Sequence, residues 1–146
     1  MNQFIEEKYR LKDIKISLKE NKKNLKTKSK IRIAILGGST TDLIKNTISE
    51  YLSINNIEGI FFQSEYNQFY FEGINPSKKL ISFRPQVIYI HSTTANIDEF
   101  PSVGANSHQV EKLINKTFSK YKSIWNSLTK KFRCIIIQNN FEYIPF

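Results

Sequence analysis

Residues 31–42 read IRIAILGGSTTD. An apolar run, broken only by Arg32, ends at Gly37-Gly38 and is followed by three hydroxyl residues and an acid. A short apolar run that stops at glycines predicts a buried strand with a sharp exit. Thr41 or Asp42 then caps a helix reaching Tyr51-Leu52, with Leu43, Ile44, Ile48, Tyr51 and Leu52 on one face. Asn55-Asn56 stops it.

The same grammar repeats downstream. Gly59 to Phe62 reads as a second strand, Val87 to Ile90 as a third and Cys134 to Ile137 as a fourth. One or two short helices are expected around Pro76. Ser107 to Phe132 is a long helix with Val110, Leu113, Ile114, Phe118, Tyr121, Ile124, Trp125 and Leu128 at helical spacing. Strands alternating with helices predict an α/β domain, doubly wound, with a mostly parallel sheet of four to five strands in flavodoxin-like order. Strands apolar throughout imply cover on both faces.

The chain has 146 residues, enough for one domain and a core. Its net charge of +9 is uneven: residues 1–30 carry ten Lys/Arg and four Asp/Glu. Phe4, Ile5, Tyr9, Leu11, Ile14, Ile16 and Leu18 approximate helical spacing before a polar stretch from Glu20 to Lys30. Residues 1–30 therefore read as a basic amphipathic helix and linker preceding an α/β domain over 31–146. Such an arm is first a solvated helix face, and charge alone supports binding to nucleic acid or an anionic surface only weakly. No apolar run is long enough to span a bilayer. Glu6, Glu7 and Lys8 stand where a signal peptide needs its apolar centre, so a cytoplasmic protein is expected. Cys134 is the single cysteine, read as a small buried hydrophobe.

In open parallel sheets, sites lie beyond the carboxyl ends of the strands. That gathers three polar loops, 37–42, 91–100 and 138–142. GGSTTD has neither the spacing nor the lysine of a phosphate-binding Walker loop, and no dinucleotide fingerprint is present. No metal-binding or cofactor motif is present either. Ser39 is open to two roles, a nucleophile or a helix-start hydroxyl. His91 is the histidine on the correct edge to act as its base, whereas His108 reads as surface. Asn139 and Asn140 either donate to an oxyanion or make the turn. The aromatic stretch around Asn67 reads as packing against the sheet.

Three segments, IRIAILGGSTTDLI, SEYNQFYFEGINPSKKLISFRPQVIYIH and SIWNSLTKKFRCIIIQNNFE, resemble in order and spacing the N-terminal region of FkbH-like proteins. The likeness spans about residues 30–142. It implies a domain that is flavodoxin-like and SGNH-hydrolase-like, standing before a catalytic domain of the haloacid-dehalogenase type. Characterised members load a glyceryl unit onto an acyl carrier protein with that second, Mg²⁺-binding domain. The present chain has no such metal motif, so the transfer is not carried over.

The SGNH likeness places Ser39 at the nucleophile position, although the turn reads Gly-Gly-Ser where that family has Gly-Asp-Ser. Gly73 and Asn96 fall loosely at the oxyanion positions. Gly38, Thr40, Thr41, Asp42, Asn67, Asn139 and Asn140 complete the candidate binding set. The late D-x-x-H segment is missing from the sequence. The resemblance thus implies an accessory, non-catalytic domain whose partner is an acyl carrier protein or a separate haloacid-dehalogenase-like catalytic domain. A serine esterase using Ser39 is the alternative, and a basic-arm binder of nucleic acid or an anionic surface the second alternative. Four strands followed by only nine residues predict a domain cut short at its C-terminus. Such a domain has an open sheet edge, which predicts either a homodimer or a marginally stable fragment.

Overall fold

The computed structural model describes residues 29–142, together with Ile16. The expected amphipathic helix of the arm lies outside the described residues, as do Tyr143, Ile144 and Phe146. The elements are β1 (Ser29–Gly37), α1 (Asp42–Ile54), β2 (Ile57–Gln63), α2 (Phe69–Ile74), α3 (Lys78–Phe83), β3 (Val87–His91), a 3-10 turn (Thr94–Asn96), α4 (Ser107–Lys131) and β4 (Ile135–Gln138). Within residues 29–142, the expected strands and helices are present, with ends displaced by a residue or two.

The strands form one four-stranded sheet in the order β2-β1-β3-β4. β1 runs parallel to β3, with Ile33 beside Val87 and Gly37 beside His91. β3 runs parallel to β4, with Val87 beside Ile135 and Ile90 beside Gln138. This is an α/β fold, and its strand order is the flavodoxin-like one.

Two compact units divide the chain. In the first, α1 ends where Asn56 takes a left-handed conformation (φ 57), and Lys30 pairs with Glu58 at 3.4 Å. In the second, alternation along the strands turns Ala34, Leu36, Ile88 and Ile90 to one sheet face. There they join Phe69, Leu80, Tyr121, Ile124, Leu128 and Phe132 in a continuous buried core. Ile33 and Ile35 point the opposite way and are also buried.

Local chemistry fixes the helix ends of this second unit. Ser77 caps α3 by accepting from the Leu80 N–H, and Arg84 closes it in a left-handed conformation before Pro85. Asn106 and Gln109 form a reciprocal capping box at the start of α4. Gly73 of α2 is buried against α4, so close that a Cβ there would lie 2.6 Å from Cγ2 of Ile124. Cys134 is half-buried against the core, and burial pushes its thiol pKa up.

Two expectations are corrected. β4 is not covered on both faces: Ile135 and Ile137 are 63% and 49% exposed, because only Ile136 of its three isoleucines turns toward the core. Along α4, Ile114 and Phe118 are exposed; the buried stripe is Tyr121, Ile124 and Leu128, the part of the helix that lies over the sheet core.

Candidate functional site

The carboxyl ends of β1, β3 and β4 bring together the loops the sequence singled out. Gly38 continues β1 by donating its N–H to the His91 carbonyl at 2.7 Å. Gly37 donates to Ser64 Oγ at 3.0 Å. A Cβ on Gly38 would collide with the Asn96 carboxamide, so glycine is required there by close approach.

Asn96 is the centre of the arrangement. It is buried, and its Nδ2 donates to the Gly38 carbonyl at 3.1 Å and to Asn67 Oδ1 at 3.2 Å. Its Oδ1 accepts from the Thr93 N–H at 2.8 Å, within a capping box that starts the 3-10 turn. Both amide hydrogens and the carbonyl oxygen are therefore engaged. One carboxamide ties the loop after β1, the Asn67 turn and the loop after β3 into a single unit.

Asn139 performs a similar service at the end of β4. Its Oδ1 accepts from the Ser92 N–H at 2.9 Å, and its Nδ2 donates to the Ser92 carbonyl at 2.7 Å and the Asn140 carbonyl at 2.8 Å. Glu142 closes the same loop, accepting from the N–H and hydroxyl of Thr94 at 3.0 and 2.8 Å. Its carboxyl pKa is lowered by backbone and Thr94 hydrogen bonds, with a smaller contribution from His91.

Ser39 follows Gly38 in a bend and is half-buried. Its hydroxyl makes no hydrogen bond among the described residues, and it does not act as a cap. The His91 ring stacks near Tyr89, and its buried Nδ1 has no hydrogen-bond partner among the described residues. Thr40 is exposed, whereas Thr41 is buried and accepts from Gln63 Nε2 at 2.9 Å. Asp42 opens α1, 3.7 Å from Lys45. Gly73 is not brought to the cluster: it sits within α2, packed on Ile124.

Sequence reasoning did not single out Ser92, Thr93, Tyr121 or Glu142 for this site. The T-T-A-N spacing of residues 93–96 was the available signal for the capping box. The Ser92 and Tyr121 hydroxyls are buried without a well-formed hydrogen bond among the described residues. Burial raises the Tyr121 pKa, Ser92 lowers it in part, and the Asp98 charge raises it again. Beside them opens an apolar groove of about 800 Å³ whose walls include Phe100, Leu113, Phe118, Trp125 and Phe141. No group of three or more metal-ligating side chains occurs among the described residues. No described helix is long and apolar enough to cross a membrane.

No family model and no curated protein matches the sequence. Among solved structures, the chain is similar to the N-terminal part of the protein BF1531 from Bacteroides fragilis, which contains a phosphatase domain and was crystallised with Mg. The TM-score is 0.67 at 22% sequence identity, over 90% of this chain and 34% of that one. The chain thus spans about a third of that structure's length, and the likeness establishes the α/β fold.

Proposed function

We propose that this chain is an accessory, non-catalytic SGNH-like module of an FkbH-like protein, working beside a haloacid-dehalogenase-like domain. The observation that carries the reading is the engaged Asn96 carboxamide. An oxyanion donor must aim a free N–H at the developing charge, and Asn96 spends both of its own on Gly38 and Asn67. Asn139 likewise spends its amide on Ser92 and Asn140. The polar side chains at the strand ends hold loops to one another. The similarity to part of a larger chain that contains a phosphatase domain supports the same placement.

In this role the module offers a surface. The groove beside α4 is apolar, and its volume of about 800 Å³ leaves room for an acyl chain delivered by a carrier protein. The test is hydrolysis of short-chain p-nitrophenyl esters by the native chain and by Ser39→Ala. Turnover at the buffer rate in both is expected. A Ser39-dependent rate overturns the reading.

A second reading, an SGNH-type esterase, is favoured by one observation. Among the described residues, the Ser39 hydroxyl makes no hydrogen bond and the buried His91 Nδ1 has no hydrogen-bond partner. Under that reading the ester rate is lost in Ser39→Ala and reduced in His91→Gln.

A further inference from the structure

We propose that the end of the domain where β1, β3 and β4 begin binds the phosphate backbone of nucleic acid, without regard to sequence, through Arg32, Arg84, Lys130, Lys131 and Arg133. Only four of the chain's 22 basic residues are arginines, and three of those four come to this end. β1, β3 and β4 are neighbours and run parallel, so their starts lie side by side. The Arg32 carbonyl accepts from the Gln86 N–H at 2.9 Å, and the Gln86 carbonyl accepts from the Ile135 N–H at 3.1 Å. Arg84 and Arg133 stand two residues before Gln86 and Ile135. The backbones of the three arginines therefore span about 10 Å, two strand spacings. Lys130 and Lys131 end α4, which leads into β4 at the same place.

These cations are not neutralised. Arg84, Lys130, Lys131 and Arg133 are exposed, and Arg32 is half-buried. None of the five forms an ion pair among the described residues, where Lys30, Lys45, Lys116 and Lys120 take the carboxylates. Arg32 donates its Nε to the Arg84 carbonyl at 2.8 Å, which fixes the guanidinium and leaves its two terminal nitrogens as unused donors among the described residues. Lys130 and Lys131 also offset the negative end of the α4 dipole, but that end carries only about half a charge. Guanidinium forks match pairs of phosphate oxygens. Within 82–86 and 129–134 no apolar side chain is exposed: Pro85 and Phe132 are buried, and Phe83 packs against the core. This surface thus lacks the apolar anchor that a bilayer or a protein hot spot calls for, which favours a nucleic acid. The net charge of +9 adds long-range attraction for a polyanion. The Ser39 loops lie at the other end of the strands, so the inference stands whichever reading of Ser39 holds.

The experiment is fluorescence anisotropy of a labelled DNA duplex of about 20 base pairs, titrated with the full chain at several salt concentrations. Saturable binding is expected, equal for unrelated sequences and falling steeply with salt. Arg84→Gln combined with Arg133→Gln is expected to weaken binding about tenfold and to lower the salt slope by about 2. Lys112→Gln combined with Lys122→Gln removes the same charge from earlier turns of α4, and is expected to change the affinity by less than about twofold. All four side chains are exposed, so thermal unfolding of both double variants stays near that of the native chain. A duplex left unbound at about 50 mM salt overturns the proposal. So do equal losses in the two double variants, which mean net charge alone, or an Arg84 and Arg133 variant that binds as the native chain does. Capture by phosphatidylserine vesicles without binding to the duplex also overturns it, in favour of a lipid surface.

Discussion

The Asn96 carboxamide nitrogen lies 3.1 Å from the Gly38 carbonyl oxygen, joining two loops 58 residues apart in the chain. The same carboxamide fills the space a Gly38 side chain would need. The two positions are therefore coupled twice, by a hydrogen bond and by volume. Gly38→Ala is expected to cost about 1–3 kcal/mol through overpacking. Asn96→Ala should cost about 1–3 kcal/mol by leaving buried partners unpaired. In the double variant the methyl enters the vacated space, so the combined loss falls short of the sum by about 1 kcal/mol. Urea unfolding of the four proteins measures this, and strict additivity counts against the arrangement.

Asn139 and Asn140 are neighbours with different duties. Asn139 satisfies both backbone groups of Ser92, which is buried. Asn139→Ala should lower stability by about 1–3 kcal/mol. Asn140 is exposed and contributes its carbonyl, so Asn140→Ala should stay within about 0.5 kcal/mol of the native chain. Equal losses at the two positions contradict the assignment.

Gly73 is a packing glycine. A methyl there meets Ile124 of α4, and Gly73→Ala should cost about 1–3 kcal/mol despite the better helix propensity of alanine. In an Ile124→Ala background the same change fills a cavity and becomes neutral or stabilising. Thermal melts of the single and double variants read the sign directly.

Cys134 gives a pH prediction. Burial raises its pKa above the ordinary 9.0, so the unfolded thiol ionises first as pH rises. The stability this group contributes is complete below pH 9 and is lost as pH climbs through the folded value. Cys134→Ala should flatten the decline in melting temperature above pH 9, and iodoacetamide should label the native thiol slowly at neutral pH. An unchanged alkaline slope counts against it.

The fold was legible because each strand announced itself. Ile31 to Leu36, Val87 to Ile90 and Cys134 to Ile137 are apolar runs ended by polar or glycine turns, and the alternation with helices implied the parallel sheet. The exposed Ile135 and Ile137 were not legible, because an apolar run does not say which of its faces is covered. At the site, the sequence brought the right loops to one edge but left their side chains unassigned. Asn96 and Asn139 look alike as loop amides whether they donate to a substrate or to a neighbouring backbone. Only the distances to Gly38 and Ser92 decide where those hydrogens go. Gly73 was misplaced for a related reason: a glycine's use depends on what approaches it, here Ile124.

Labelling with a fluorophosphonate probe tests directly, without knowledge of a substrate, whether Ser39 is an activated nucleophile. Native chain and Ser39→Ala are to be compared under identical folded conditions. No labelling above background is expected in either protein. Strong labelling of the native chain that vanishes in Ser39→Ala would contradict it and bring the hydrolase reading forward.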